Sequence, residues 1–348
     1  MSRRAVAALA ALVVLVGAAL VAWRLLTPTT PLQDALAYAP DTTSRASWTD
    51  WEGVRSELGA DVDAESSAED VEAFVSEAFT SDLSAMSALG TSAGTMQDEL
   101  GFSPATLRWE LFAQAGGGAV EVLGVSEDTS FDDLAERLAT LGWAEPDDDT
   151  GVWIGGPDVA SAVGGLTPEL QHFVLFADRH LVLASDQAQY LEEAREVVTG
   201  DAGAAEGLAE LAAALGEPLA AAVYDGDYAC ERLAMAQADD DARAEADQLV
   251  AAAGGVHPLT GFAMGALAGG DLRVVMQVED ADDAPGDAEA RAQLAAGPAP
   301  GQGGDFTDRF SVAEAGSQGR EITLDLRPRE GAYVLSDLTS GPVLFATC

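Results

Sequence analysis

The residues able to do chemistry are few and far apart. Gly90–Gly94 reads GTSAG, the G-x-S-x-G pattern in which a strained strand-to-helix elbow lifts a serine hydroxyl clear of a sheet. Ser92 would then be the nucleophile of an envelope hydrolase. The stretch before it, SDLSAMSAL, has the composition of a helix and not of a buried strand, so a loop is the preferred reading. His172 and His180 bracket HFVLFADRHLVLAS, where a hairpin would bring them together with Asp178 as a third zinc ligand. Asp178 and Arg179 read as the turn of that hairpin, which favours solvated histidines. His257, before Pro258, has no evident partner.

Acidic runs stand at Asp147–Asp149, Asp239–Asp241 and Glu279–Asp287. None follows the calcium-loop pattern: Ala284 stands where the last run needs a ligand and Pro285 where it needs the turn glycine. The second and third runs immediately precede helices, where carboxylates cap free N–H groups and oppose the helix dipole. Capping is the preferred role, with weak Ca²⁺ association as the alternative. Gly297–Phe306 (GPAPGQGGDF) lacks phosphate-cradle spacing and any basic side chain, and reads as a connector. Trp48, Trp51, Trp109, Trp143 and Trp153 could stack on sugars, but Trp51 is in helical register with Val54 and Leu58, so core packing is preferred.

Composition excludes more than the motifs assert. The chain has no lysine, which removes P-loop, kinase, Schiff-base and pyridoxal chemistry. It has no asparagine, and so no N-glycosylation site and no Cys-His-Asn triad. Net charge is −42, and every acid lies from Asp34 onward. Setting aside Arg3, Arg4 and Arg24 leaves 14 arginines against 59 acids. Such a surface repels phosphate backbones, so no nucleic-acid partner is expected. No cofactor or metal is expected either.

These side chains need elements to hold them. Ala5–Trp23 runs nineteen residues without charge or proline, close to the ~20 needed to span a bilayer core. Arg3 and Arg4 precede it and acids follow, which puts the N-terminus in the cytoplasm. Residues 1–4 are then a cytoplasmic stub, 5–25 a transmembrane anchor and 26–31 a short stiff linker. A cleaved signal peptide with its site at Ala35–Ala37 is the alternative.

Beyond the linker, apolar spacing predicts helices over VEAFVSEAF, SFDDLAERLATLG (131–141), QAQYLEEAREVVTG (187–199), DARAEADQLVAAAGG and GDAEARAQLAAG (287–296). Hairpins are predicted over Thr106–Val125, His172–Ser185, Gly261–Asp280 and Phe310–Pro328. The order of elements recurs. A Leu/Ala segment ending in proline, a strand, helices, a hairpin, a helix, a loop and a hairpin run through 32–202 and again through 203–348. The predicted fold is α+β: an N-terminal transmembrane helix followed by two similar, duplicated units of mostly antiparallel sheet packed with helices. PVLFATC is predicted as an added strand closing the second unit.

An Arg-flanked anchor, the entry ALAYAPDT, hairpins of the HLVLAS kind followed by a helix, and the tail GPAPGQGGDF…VLSDLTSGPVLFATC together resemble the membrane-tethered ectodomain proteins of unknown function of high-GC actinobacteria. The resemblance implies an extracytoplasmic location and a repeat architecture; it implies no active site. The expectation is a non-enzymatic binding or scaffolding component of the cell envelope, with an envelope protein or cell-wall partner. A small-molecule or lipid carrier with a pocket between the two units is a further alternative.

Both cysteines fall in the second unit, Cys230 after its first strand and Cys348 at the last position. Outside the cytoplasm they are expected to pair. The bridge would close a loop of about 118 residues and contribute up to roughly 4–5 kcal/mol in the chain-entropy model.

Overall fold

A computed structural model describes residues 29–348; the predicted anchor, the stub and most of the linker lie outside the described residues. Among the described residues, no helix is long and apolar enough to cross a membrane.

Among the described residues, eleven strands form one sheet in which each is antiparallel to its neighbours, in the order β10-β11-β9-β8-β7-β1-β2-β3-β6-β5-β4. The strands are β1 (Arg45–Thr49), β2 (Leu107–Ala115), β3 (Gly118–Val125), β4 (Trp153–Ile154), β5 (His172–Phe176), β6 (Leu181–Ser185), β7 (Ala220–Asp225), β8 (Leu259–Ala266), β9 (Leu272–Val278), β10 (Phe310–Gln318) and β11 (Glu321–Pro328). The helices of six or more residues are α1 (Pro31–Leu36), α2 (Trp51–Leu58), α3 (Ala68–Thr80), α4 (Phe131–Leu141), α5 (Pro157–Val163), α6 (Ala188–Thr199), α7 (Glu206–Ala213), α8 (Asp240–Ala252), α9 (Ala284–Ala295) and α10 (Val334–Thr339).

Strand alternation sends Phe262 and Met264 to one face and Ala263 to the other, so the sheet builds two cores. The larger lies under α2, α3, α4, α8, α9 and α10. The smaller lies under α1, α6 and α7. Helix ends follow the sequence cues. Ser130 caps α4 by accepting from Asp133 N, and Gly142 ends it at φ 109°, a left-handed conformation that glycine adopts without strain.

The two predicted units share this one sheet, joined where β1 meets β7. Arg45 faces Tyr224 and Thr49 faces Ala220, so the pairing is two-fold about Ser47 and Ala222. Outward from that centre the strand order is the same over five strands, β1-β2-β3-β6-β5 on one side and β7-β8-β9-β11-β10 on the other, with β4 added beyond β5. Register matches as well. Gln114 faces Arg45 as Ala266 faces Ala220, and both second strands carry a bulge after their first residue, Leu107 or Leu259. The segment after α4 and the connector Gly297–Phe306 each close with an isolated bridge, Ala144 to Ile154 and Pro298 to Asp305.

Two expectations fail. SDLSAMSAL is a run of turns and not a helix, because its side chains leave for other elements. Asp82 stands at φ 59° and gives its carboxylate to Leu335 N (2.6 Å), Ser336 N (3.1 Å) and the Ser336 hydroxyl, capping α10 from the other half of the sheet. Asp82→Ala should therefore cost about 1–2 kcal/mol in a denaturant melt. Asp82→Asn, which keeps an acceptor and tolerates left-handed backbone, should cost less.

The second failure is PVLFATC, which forms a turn over Leu344–Ala346 and not a strand. Val343–Ala346 are fully buried, and the carbonyls a strand would give to a neighbour go to Arg291 instead.

Candidate functional site

A concave feature with mixed chemistry is a groove of about 560 Å³ between α2, the loop that enters β2, and the start of α4. Asp50 starts α2 by accepting from Gly53 N at 2.9 Å, Trp51 and Val54 turn into the core, and Arg55 is left facing the groove. One guanidinium nitrogen of Arg55 donates to Pro104 O (2.7 Å) and Leu107 O (2.8 Å); burial lowers its pKa. Across the groove Arg137 of α4 donates to Asp98 O and Glu99 O at 3.3 and 3.2 Å. Its guanidinium lies against Gly101, where an added Cβ would come within 3.0 Å of Nε. Half-buried Val62 supplies an apolar side, buried Leu100, Phe102 and Leu134 underlie the floor, and exposed Asp63, Glu65 and Asp128 lie on the rim. Two anchored guanidiniums over apolar walls can hold the backbone carbonyls of an extended chain.

Two buried carboxyls lie elsewhere under the same face of the sheet. Glu110 of β2 accepts from Trp51 Nε1 (2.9 Å), the Ser87 hydroxyl (2.7 Å) and Ala88 N (2.7 Å). Burial nevertheless raises its pKa to about 7. Glu121 of β3 is fully buried, and neither of its oxygens has a hydrogen-bond partner. Burial first, and then the charges of Glu110 and Glu169, push its pKa well above the usual carboxylate range. Sequence reading missed both, although Glu121 is a lone acid in AVEVLGV and in phase with the buried Leu123 and Val125.

His257 was also missed as a paired residue. Its Nδ1 lies 2.7 Å from Asp287 Oδ1, and this hydrogen bond holds its imidazole above its ordinary pKa. Asp287 in turn takes Arg291 Nε at 3.1 Å, and Arg291 donates to the carbonyls of His257, Phe345 (2.7 Å) and Thr347 (3.0 Å). The second imidazole nitrogen faces Asp283 at 3.6 Å, so the pair has no nucleophile to activate.

Ser92 is fully buried, and its hydroxyl accepts from Thr167 N at 2.7 Å. No strand leads into it and none of the three histidines is bonded to it, so it is not presented as an elbow serine. His172 and His180 lie at opposite ends of the β5–β6 hairpin. His172 is opposite Ser185, whereas His180 sits at the turn at φ 51° with its ring against Phe131. Among the described residues, no group of three His, Cys, Asp or Glu side chains could hold a metal ion. Of the acidic runs, Asp239 caps α8 as expected (2.8 Å to Ala242 N), but Asp283 makes no capping bond and Asp287 serves Arg291. Trp51, Trp143 and Trp153 are core residues; Trp48 is buried with half-buried Trp109 stacked on it at 5.6 Å. Cys230 and Cys348 are bonded, with their Cα atoms 5.6 Å apart.

No family model and no curated protein matches the chain. The chain is similar to two solved structures. Crystal form I of TP0453 is 8% identical with a TM-score of 0.41, over 89% of this chain and 98% of that one. Crystal form III gives 8% identity and 0.40, over 87% and 97%. At that distance the likeness transfers no residue and no activity.

Proposed function

We propose that this chain is a membrane-anchored, extracytoplasmic binding or scaffolding component of the cell envelope, without catalytic machinery of its own and built by duplication of one α+β unit. The observation that carries the location is the Cys230–Cys348 bond, which uses both cysteines of the chain and suits an oxidising compartment. The charge-free run Ala5–Trp23 supplies the anchor and places the ectodomain close to the outer membrane surface. Matching strand order and matching register about Ser47 and Ala222 support the duplication. The open groove, lined by anchored arginines, supports a binding role.

The test is topology. Full-length chain expressed in a bacterial host should remain with the membrane after carbonate washing, be degraded by protease added to spheroplasts, and show no titratable thiol without reductant. A soluble or protease-protected chain with two free thiols would overturn the reading.

A further inference from the structure

We infer that the groove between α2, the Gly101–Leu107 loop and α4 is a docking site for a short, extended, apolar peptide segment of a partner protein. The inference rests on reading the two halves of the sheet as copies of one unit, and it names the partner chemistry of the binding role proposed above.

The second half shows what such a position holds. Asp50 and Asp225 each follow a central strand and cap the helical turn behind it, through Gly53 N at 2.9 Å and Tyr228 N at 2.6 Å. Five residues further along, Arg55 and Cys230 occupy the same place. Arg55 bonds Leu107 O, and Cys230 Sγ lies 3.8 Å from Leu259 O, the carbonyl at the matching bulge. On the following helices Asp133 and Arg137 match Asp287 and Arg291, four residues apart in each case. In the second half these positions grip the chain itself. Arg291 takes the carbonyls of Phe345 and Thr347, Cys230 takes Cys348, and Leu233 O takes Val343 N at 3.0 Å. Arg291 is fully buried as a result.

In the first half nothing among the described residues takes that place. After β6 the chain crosses to the opposite face of the sheet as α6. The result is an open groove, not a filled one. Neither Arg55 nor Arg137 is ion-paired with a described residue, in a chain with 59 acids. Each is held by carbonyl bonds from one terminal nitrogen and keeps its remaining N–H groups. The occupant that fits offers backbone carbonyls to Arg137 and Arg55 and an apolar side chain to half-buried Val62, over a floor of buried Leu100, Phe102 and Leu134. Asp63, Glu65 and Asp128 on the rim require neutral or basic flanks.

The probe is a fluorescein-labelled synthetic peptide with Pro-Val-Leu-Phe-Ala-Thr between arginines, titrated by anisotropy against full-length protein in detergent micelles. Saturable binding is expected, weakened about tenfold or more by Arg137→Gln and by glutamates in place of the flanking arginines. Thr129→Arg, a half-buried rim position, blocks the groove without touching a guanidinium and serves if Arg137→Gln does not fold. No saturation with wild type, or equal binding to wild type and either folded variant, overturns the inference. Because binding is read on purified protein, a chain that fails the topology test but still binds sinks the anchor alone. A chain that passes it and does not bind sinks the groove alone.

Discussion

Arg291→Met is expected to cost the fold about 3–5 kcal/mol in a denaturant melt, which ranks it with breaking the disulfide. Arg291 and Asp287 are both buried, and removing the cation leaves the buried carboxylate with His257 as its remaining partner. The same change strips donors from the carbonyls of His257, Phe345 and Thr347. Asp287→Ala with Arg291→Met removes the charge as well as the cation, so it should recover part of that loss. Cys348→Ser acts on the same clasp by another route. It frees a long loop in the unfolded chain, worth about 4–5 kcal/mol in the entropy model. The two routes share the segment Val343–Cys348, so Arg291→Met combined with Cys348→Ser should cost less than the sum of the two. Strict additivity, or an Arg291→Met variant as stable as wild type, would show that the tail holds by apolar burial alone.

Much of this architecture was legible, and what was not has a common cause. Local cues sufficed for α4, whose Ser130 cap and Gly142 end are written in the chain, and for hairpins whose strands adjoin. The order of elements also runs parallel in the two halves, as the strand order of the sheet does. What no local cue could name was the partner of an element across the sheet. Nothing in RASWT marks AAAVYD as its neighbour, so the joining of the two halves in one sheet could not be read from it. SDLSAMSAL looked helical because its hydroxyls and Asp82 could not be seen bonding Glu110 and α10. PVLFATC looked like a strand because the true donor to its carbonyls, Arg291, lies in a helix far upstream. The groove was illegible for the same reason. Arg55 and Arg137 have nothing in common until the Gly101–Leu107 loop brings them to the same opening.

The fold is also expected to be more stable at pH 5 than at pH 8, and Glu121→Val should remove much of that difference. Glu110 ionises near 4.5 when exposed and at about 7 when folded. Between those values the folded chain holds a proton that the unfolded chain has lost, so stability falls as pH rises across the window and levels off above it. For Glu110 this amounts to about 3 kcal/mol. Glu121 shifts in the same direction, with no donor to stabilise its anion. Register shows that the fold does not need either acid: Phe262 and Val274 stand at the matching positions of the second half. Valine at 121 therefore deletes an unpartnered buried carboxyl and borrows the side chain already used across the two-fold, and it should stabilise the protein at pH 8 by about 1–3 kcal/mol. Glu110→Gln should behave differently. Its amide N–H₂ would meet donors from Trp51, Ser87 or Ala88, so it should lose stability at every pH while flattening the slope. His257 and the partly buried Asp50, Asp82, Asp225 and Glu321 are raised too and tilt the wild-type curve the same way. The deciding quantity is thus the difference between variant and wild type, read as urea midpoints from pH 5 to pH 8. Parallel curves for wild type and Glu121→Val would mean that the buried pair does not hold the extra proton.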